Sequence, residues 1–462
     1  MNSEIQGLAT DKIEIAADQT RTLATTRQYA NYALFVLLLM NIFAFLDRAV
    51  FSVLAQPIKQ DLRLSDTELG LLGGFAFVLV YTFCALPVAR LSERTNRINL
   101  ISVCLVFWSL ATAAGGLANN FIQMMLTRVG VGAGEAGATP TAHSVIGDYF
   151  PPDRRASAIS IFVLGLPLGT LFGSLSGGYI AQHFSWREAF FTTGLAGILV
   201  ALLLKLTVKE PVRGGADGEK KLVGETPSLM AVVRHLFGRK SFVHITAGFT
   251  LSAFSAAGVL AFLPALLVRQ YGFSYETAGL VNGLLAGLLT AIGIPIGGYL
   301  ADMLGRRDRR WFAWVPAIML LIGAPLAILA LLQNDWRWML ALLAVPSLLR
   351  TAYLPATLAS YHNMTEPRMR ATTITITFMF SNIIGGGAGP FFAGFLSDSV
   401  KTGHFFGSYN SVCGGAAKAL ALCSSPEAYG ANIGINVTAA FAFWAALHYF
   451  LATRTIRKDF LD

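Results

Sequence analysis

Long apolar runs, separated by short polar segments, dominate the chain from residue 31 onward. Each run can cross a hydrocarbon layer of about 30 Å, which takes about 20 helical residues. A backbone in lipid must satisfy its own hydrogen bonds, and these runs lack the alternation of barrel strands, so each run is predicted to be a helix. The twelve predicted spans are 31–58, 69–91, 98–118, 121–147, 156–182, 188–208, 241–269, 276–302, 311–332, 337–362, 371–397 and 432–453.

A polar linker over residues 209–240 divides these spans six and six. Such a linker after the sixth span is typical of a duplicated transporter. The chain is therefore predicted to be an all-α membrane protein of two six-helix bundles, over 29–208 and 241–462, after a polar tail over 1–28. The tail has no apolar core of the signal-peptide kind, so we expect it to remain in the cytosol.

Composition and charge agree with a chain whose solvent is largely lipid. Only 13% of its residues are charged, about half the fraction found in soluble domains. The net charge of +9 does not indicate nucleic-acid binding, because the basic residues lie at the ends of apolar runs. With an inside amino terminus, 25 of the 35 Lys and Arg residues fall on the inner side and seven on the outer side. This bias predicts that both termini are cytosolic.

The cysteines and the missing catalytic patterns narrow the function. Cys84 and Cys104 lie in apolar runs and are expected to be small core residues. Cys413 and Cys423 lie in a polar loop on the predicted outer side, where an oxidising compartment would allow a disulfide. The sequence has no CxxC or HExxH spacing, no nucleophile with a base and no nucleotide loop, so we expect neither a cofactor nor enzyme activity.

Ionisable residues inside the spans are the main candidates for function, because each costs about 2.5–3.5 kcal/mol at the membrane centre. They are Asp47, Arg48, Arg128, Glu135 and Arg350. Four of the five lie in the first half, which predicts ion coupling in the amino-terminal bundle and mainly substrate binding in the other.

The depth of each residue follows from the helical rise. Asp47 and Arg128 are both predicted about 8–10 Å below the outer surface, so an ion pair is expected. Glu135 is two turns deeper than Arg128 on nearly the same helix face. Desolvation favours a neutral carboxyl group, whereas a nearby arginine favours the charged form. We therefore expect Asp47 and Glu135 to take up protons and release Arg128; the alternative is a static Asp47–Arg128 pair. Arg48 is expected to pair with another helix or to bind an anionic headgroup.

Polar residues in the second half are candidates for binding substrate. Arg350, which is near Tyr353, suits a phosphate or carboxylate, although it could instead snorkel or cap a neighbouring helix. Asn282 and Asn382 are minor candidates. The threonines between residues 372 and 377 either line a polar wall or return hydrogen bonds to their own helix.

Two loops, 209 positions apart, resemble one another. In each, an acidic residue near a span end precedes arginines that can brace neighbouring helix ends. The first contains Glu93, Arg94 and Arg97; the second contains Asp302, Gly305, Arg306 and Arg307. This spacing resembles the signature loop of the major facilitator superfamily, with Glu93 and Asn96 replacing the usual Asp and Gly in the first copy. The resemblance implies that these residues hold one state of an alternating-access cycle.

Two segments narrow the resemblance further. Phe45-Leu-Asp47-Arg48 in span 1 and the stretch from Arg128 to Glu135 in span 4 are similar to the spinster group of lipid transporters. That group moves lysophospholipids or sphingosine phosphates, and some members are coupled to protons. The compact tails resemble those of a bacterial member, which implies a place in the bacterial inner membrane.

The sequence thus predicts a proton-coupled transporter of lysolipids, sphingoid-type lipids or similar amphiphiles that works by alternating access. Its expected partners are membrane lipids, an amphipathic small molecule and protons, without nucleic acid, and it is expected to act as a monomer. The alternatives are a proton-coupled multidrug antiporter, an organic-anion carrier of the same superfamily, or a membrane sensor that transports nothing. A sensor would gain nothing from buried charges, which argues against it.

Overall fold

The computed structural model describes the backbone of residues 2–213, 228–366, 369–404 and 421–460. Side chains are described over the same ranges from residue 27 onward, except at positions 86, 152, 153, 156, 371, 402–404 and 421–425. Every regular element in these ranges is a helix, and they contain no strand, which confirms the predicted all-α class.

The helices form twelve spans joined by short turns. From span 1 to span 12 their bounds are Asn2–Leu62; Asp66–Arg94; Arg97–Gly115; Phe121–Glu135 with Ala138–Tyr149; Pro152–Val163 with Gly165–His183; Trp186–Thr207; Lys240–Tyr271; Tyr275–Gly305; Trp311–Leu331; Trp336–Leu349 with Leu354–Met364; Arg370–Phe380 with Ser381–Gly387 and Ala388–His404; and Ala421–Ala452. Eleven of the spans are long and apolar enough to cross a membrane. The other is span 4, which consists of two shorter helices.

Two predicted boundaries differ from the structure. The helix of span 1 begins at Asn2, so the predicted polar tail is continuous with the span rather than separate from it. Within the predicted linker, Leu229–Phe237 forms a short helix whose first turn is capped by the side chain of Ser228. The residues between 214 and 227 lie outside the described ranges.

Polar caps fix where several spans begin. Span 2 starts with a capping box in which Ser65 accepts the N–H of Glu68 and the Glu68 carboxylate accepts the N–H of Ser65. The side chains of Asn96, Asn120 and Ser185 likewise accept backbone N–H groups in the first turns of spans 3, 4 and 6. Each cap satisfies N–H groups that would otherwise lack partners, which fixes the residue at which the span begins.

Irregular turns interrupt spans at equivalent positions of the two halves. Spans 2 and 8 contain π-helical turns at Leu71–Phe75 and Gly283–Leu288. Span 11 has a third π-helical segment, Ser381–Gly387, and its counterpart span 5 is broken at Leu164. Spans 4 and 10, which also correspond, are each interrupted between two shorter helices. Such turns frequently occur at functional sites.

We name the two faces of the molecule after the orientation that the basic residues predict. The inner face carries Arg27, Arg97 and Asp308, and the outer face carries Lys59 and Arg269. Each bundle has its own apolar core: one includes Trp108, and the other includes Tyr361 and Tyr449. A third apolar cluster joins the two bundles in the outer half of the molecule; its members include Leu54, Leu72, Leu266, Ala393 and Ile435. The bundles therefore pack tightly against one another toward the outer face.

Candidate functional site

A cavity of about 1460 Å³, including its open mouth, lies between the two bundles. Arg48 and Phe77 line it from the amino-terminal bundle, and Asn282, Arg350 and Asn382 line it from the other. The structure thus brings four of the predicted substrate residues to one cavity.

Asp47 and Arg128 form a buried ion pair between spans 1 and 4, in the arrangement that their depths predict. The Nη1 atom of Arg128 lies 2.9 Å from the Oδ2 atom of Asp47. The hydroxyl of Thr112 in span 3 donates to the other carboxylate oxygen at 2.7 Å. Both oxygens of Asp47 are therefore bound, and three helices meet at this carboxylate.

Glu135 has a different partner from the one expected. Its Oε2 atom lies 2.5 Å from Nη2 of Arg48 and 3.1 Å from Nε of the same guanidinium. In this conformation Glu135 pairs directly with Arg48 rather than with Arg128, because span 1 turns the side chain of Arg48 toward span 4, and an action of Glu135 on Arg128 stays a prediction. Of the two alternatives for Arg48, the structure shows pairing with another helix. The Arg48 side chain is 36% exposed and Glu135 only 2%, so the arginine forms the boundary between the carboxylate and the cavity.

Arg350 faces the cavity and also binds span 8. Its Nη2 atom donates to the hydroxyl of Thr290 at 2.8 Å and to the carbonyl of Ala286 at 3.2 Å. Both predicted roles, a bond to a neighbouring helix and access to a ligand, are compatible with this position. Tyr353 lies near Arg350, as predicted, but is buried in the core of the carboxyl-terminal bundle, with its ring centroid 6.3 Å from that of Phe249, and it does not line the cavity.

Of the remaining polar candidates, Asn282 forms a hydrogen bond between two spans, whereas two threonines of span 11 form hydrogen bonds within their own helix. Asn282 donates from Nδ2 to the hydroxyl of Ser174 at 2.9 Å, which joins span 8 to span 5. Its Oδ1 atom is buried without a hydrogen-bond partner in the described part of the chain. Thr373 and Thr377 donate to carbonyls of their own helix, so these two do not form the polar wall.

Six charged residues, which we call the outer ion cluster, join the bundles at the outer face. They are Lys59, Asp66, Arg269, Asp398, Lys401 and Glu427. The buried carboxylate of Asp66 is the centre: Lys59, Lys401 and Arg269 each lie 2.8 Å from one of its oxygens. Arg269 binds it through both terminal nitrogens, the second at 3.0 Å.

Asp398 adds a helix cap that crosses between the bundles. From span 11, its carboxylate accepts the N–H of Asp66 at 3.2 Å and the N–H of Thr67 at 2.7 Å. These N–H groups belong to the first turn of span 2, which carries positive helix-dipole charge. The outer end of span 2 is therefore held by a side chain of the opposite bundle.

Sequence reasoning missed this cluster. Lys59, Arg269 and Lys401 counted only as basic residues of outer loops, yet all three are almost fully buried. The available signal was Asp66, an acidic residue at the outer end of span 2 on a side of the molecule with few basic residues.

The two predicted gating loops lie at the inner face. In the first, Arg97 pairs with Asp148 at 2.5 Å and Glu210 at 2.6 Å, which braces spans 3, 4 and 6 within one bundle. Glu93 contributes its backbone carbonyl to Arg213, and Arg94 is exposed.

The second loop surrounds a polar pocket of about 800 Å³, including open solvent, to which Asp302, Gly305 and Arg306 contribute. Arg307 is exposed beside it. The gating role of both loops stays a prediction. Cys413, and the side chain of Cys423, lie outside the described residues, so the predicted disulfide also stays a prediction.

Comparisons with known proteins agree with this architecture. The family model described as Major Facilitator Superfamily matches residues 37–330, more than half of the chain. An MFS-type efflux pump of Mycolicibacterium smegmatis is 33% identical over 92% of this chain and 93% of its own length. Protein spinster of Drosophila melanogaster is 27% identical over 79% of this chain and 61% of its own length. Human protein spinster homolog 1 is 28% identical over 79% of this chain and 72% of its own length.

Solved structures similar to this chain also include a member of the spinster group. A bacterial homologue of the human lysosomal transporter spinster, in an inward-facing and unoccupied conformation, superposes with a TM-score of 0.87. It is 32% identical, and the match covers 94% of this chain and 99% of that one. The same homologue in an occupied conformation gives a TM-score of 0.84. These relatives are transporters and pumps rather than enzymes, and the chain is a multi-pass transporter of the major facilitator superfamily that belongs to its spinster group.

Proposed function

We propose that this protein moves lysolipids, sphingoid-type lipids or a similar amphiphile across the bacterial inner membrane, coupled to protons, by alternating access. One observation carries the proposal: the central cavity, where Arg48, Asn282 and Asn382 lie among apolar side chains, adjoins a more apolar chamber inside the carboxyl-terminal bundle, and Arg350 lines both. The chamber measures about 710 Å³, including open space, and apolar side chains such as Val259, Leu263, Leu320 and Leu343 line most of it.

This junction suits a molecule with a charged head and an apolar chain. Arg350 would bind a phosphate or carboxylate head, since a guanidinium binds such groups through two parallel hydrogen bonds. The chain would occupy the chamber, where burial of each CH₂ contributes about 0.8 kcal/mol. A sugar or nucleoside would leave the chamber wall without matching contacts.

Proton coupling would use the two ion pairs of the amino-terminal bundle. Protonation of Glu135 would remove the charge that holds Arg48 and would free the guanidinium to turn into the cavity. Protonation of Asp47 would likewise release Arg128. The first change alters the charge that lines the cavity, and the second alters a buried pair that joins spans 1 and 4. A ligand or proton that favours one conformation shifts the equilibrium toward it. The competing interpretation is that Asp47–Arg128 is a static pair that only stabilises the bundle.

Alternating access is supported by the position of the contacts between bundles. The outer ion cluster and the apolar cluster around Leu54 and Leu266 join the bundles near the outer face. The cavity lies on the inner side of these contacts. With the termini placed in the cytosol, this conformation would receive substrate from the inner side and would release it outside after the outer contacts separate.

Purified protein in proteoliposomes tests the proposal. A lysophosphatidic acid, a sphingoid phosphate and a cationic dye would be offered across a pH gradient while a pH-sensitive dye reports proton movement. We expect movement of the lipids with accompanying proton flux, lost in Arg350→Gln and retained in Arg337→Gln, which removes an exposed arginine at the outer face. Lipid movement without proton flux would refute the coupling, and movement of the dye alone would refute the lipid substrate.

Efflux of drugs is the second candidate. The relative in Mycolicibacterium smegmatis, named an efflux pump, matches almost the whole chain at higher identity than the spinster proteins of animals. In that case the dye would move against protons and would compete with lipid for the same cavity.

A further inference from the structure

Phe77 of span 2 lies between the two arginines of the site. The guanidinium carbon of Arg48 is 4.5 Å from the centroid of the Phe77 ring, and that of Arg128 is 5.6 Å from it. Both distances fall within the range of about 6 Å over which a cation is attracted to an aromatic face. The ring is 3% exposed, and of its two cationic neighbours Arg128 is buried whereas Arg48 borders the cavity, so water screens the contact with Arg128 less than the contact with Arg48. One ring therefore contacts the cationic partner of Asp47 and the cationic partner of Glu135.

Neighbouring rings contact only one arginine each. Phe45 lies 5.1 Å from the guanidinium carbon of Arg48, and Phe51 lies 4.7 Å from that of Arg128. Tyr81, whose ring stacks on that of Phe77, also approaches Arg48, at 5.4 Å. Among the aromatic contacts described for these two arginines, Phe77 alone is common to both, so it is a contact that the two ion pairs share in addition to the Coulomb interactions between their charges.

The backbone before Phe77 connects the ring to the contact between spans 2 and 11, which we call the seam between the bundles. Phe77 follows the π-helical turn Leu71–Phe75, and Gly74 within that turn packs against the π-helical segment of span 11. A Cβ atom added at Gly74 would lie 2.7 Å from the carbonyl oxygen of Gly387. The π turn is therefore held against the opposite bundle three residues before Phe77. Separation of spans 2 and 11 would remove that support and allow the ring to shift relative to both guanidinium groups.

We propose that Phe77 is the positioning residue that couples the Asp47–Arg128 and Arg48–Glu135 ion pairs and links both to the seam between spans 2 and 11. Neutralisation of one carboxylate changes where its arginine sits on the shared ring, and the ring then shifts against the other arginine. This inference rests on the proposed proton-coupled transport for its purpose. The coupling itself is a property of the folded protein and can be measured without transport.

A double-mutant cycle tests the coupling. The melting temperature of the purified, nanodisc-embedded protein would be measured for the native protein, Asp47→Asn, Glu135→Gln and the double variant. The same four proteins would then be compared in Phe77→Leu and Phe77→Met backgrounds, so that one poorly folded background does not decide the result. Two groups that share a partner have non-additive effects. We expect clear non-additivity in the native background and half of it or less when the ring is absent.

Matched controls separate coupling from loss of packing. Phe45→Leu and Phe51→Leu each remove a ring that contacts one arginine, and both should keep the native non-additivity. Phe77→Tyr and Phe77→Trp keep an aromatic face and should restore it. Unchanged non-additivity in Phe77→Leu, an equal loss in both control backgrounds, or additive effects in the native protein would each overturn the proposal.

The pH profile of uptake is the second readout, and it distinguishes the two proposals. In Phe77→Leu, uptake should respond to pH over a different range from native protein, while Phe77→Tyr, which keeps the aromatic face, should follow the native profile. If the native protein shows no proton-dependent uptake, the proposed function fails. The melting-temperature cycle would still decide whether Phe77 couples the pairs.

Discussion

The Nη2 atom of Arg48 lies 2.5 Å from one carboxylate oxygen of Glu135, and the other oxygen, Oε1, is buried with no hydrogen-bond partner in the residues described. An unpartnered buried acceptor is costly, and a proton placed on it converts the group to a neutral donor. Arg48 then loses the charge that holds it. In the coupling that we propose, Glu135 is the carboxylate that takes up a proton from the cavity side, because its partner Arg48 lines the cavity.

The first prediction concerns the charge of Glu135. Glu135→Gln keeps the shape of the side chain and an oxygen that accepts from Arg48, but it cannot change charge with pH. Uptake of substrate by proteoliposomes should lose its dependence on pH, while the protein still folds and binds substrate. Glu135→Asp and the outer-face variant Glu188→Gln should both remain pH-dependent. Native pH dependence in Glu135→Gln would contradict the assignment.

The second prediction concerns the buried pair of Asp47 and Arg128. Asp47→Asn leaves the guanidinium buried without its counter-charge, and such a change typically costs roughly 3–5 kcal/mol of folding free energy. The double variant Asp47→Asn/Arg128→Gln should recover part of that loss. Thermal unfolding measures both effects.

The control for this pair is an exposed one in the same bundle. Asp61 and Arg187 form an ion pair at the outer face, and Asp61→Asn should change stability by no more than about 1 kcal/mol, as is usual for exposed pairs. Equal losses in Asp47→Asn and Asp61→Asn would show that the buried pair contributes no more than a surface contact.

The third prediction concerns the outer ion cluster. Asp66→Asn leaves Lys59, Arg269 and Lys401 facing one another without the central carboxylate. The equilibrium should shift toward the outward-open state by at least about tenfold, which corresponds to 1.4 kcal/mol. Hydrogen exchange at the outer ends of spans 2 and 11 should accelerate accordingly. Asp61→Asn, which alters an ion pair within a single bundle, should leave that exchange unchanged; acceleration in both variants would refute a role specific to the cluster.

The fourth prediction uses the close approach of spans 5 and 8. A Cβ atom at Gly178 would lie 2.6 Å from the carbonyl oxygen of Tyr275 in the opposite bundle, so Gly178→Ala should push the outer ends apart. Overpacking of this kind costs about 1–3 kcal/mol. At Gly298, also in span 8, an added Cβ would meet Pro355 at 3.6 Å, an ordinary contact. Gly178→Ala should therefore slow transport several-fold and raise hydrogen exchange at the outer face, whereas Gly298→Ala should behave as native protein does.

The fifth prediction concerns the carboxyl-terminal helix Ile456–Asp459. Two hydrogen bonds from Arg457, at 2.5 and 2.9 Å, together with the N–H of Arg310, hold the pKa of the Asp308 carboxyl below its ordinary value. A lowered pKa means that this contact is fully present above the ordinary carboxyl pKa and is lost as pH falls through the lowered value. The effect is modest because the pair is exposed to solvent.

Hydrogen exchange of residues 456–459 measures this contact. Exchange should be slower at neutral pH than in acid after correction for intrinsic rates, and Asp308→Asn should show the faster exchange already at neutral pH. Lys458→Gln, which alters a neighbouring charge outside the pair, should keep the native behaviour. Protection that does not depend on pH in the native protein would refute the contact.

The spans and one ion pair could be predicted because they depend on local properties. Run length gives the helices, and the rise per residue places Asp47 and Arg128 at one depth. The partner of Glu135 depends instead on how far span 1 is rotated about its axis, and the close packing of span 1 against Gly169, Gly173 and Gly177 of span 5 decides that rotation. Sequence distance contains no information on that rotation, so Arg48 was left with two alternatives.

Asp66 signalled that the outer face carries a functional charge, but the composition of the outer ion cluster could not be predicted, for a related reason. Its six residues come from the ends of spans 1, 2, 7, 11 and 12, and each of them alone has the appearance of a solvated loop charge. Their burial follows from the closure of the two bundles, which depends on the conformation as much as on the fold. The π-helical turns were missed because their glycines are equally common in regular membrane helices.

The distribution of charge in the outer ion cluster has a consequence for the opened transporter. When the bundles separate, Lys59 and Asp66 remain together on one side, and Arg269, Lys401, Asp398 and Glu427 remain on the other. Each group has zero net charge, so the parted surfaces have no net Coulomb attraction that reaches across a water-filled gap. The attraction between the two halves of the outer ion cluster is thus strong at contact and weak once a few water layers separate them. Opening should depend little on ionic strength once contact is broken, and closure should wait for the two surfaces to meet in register.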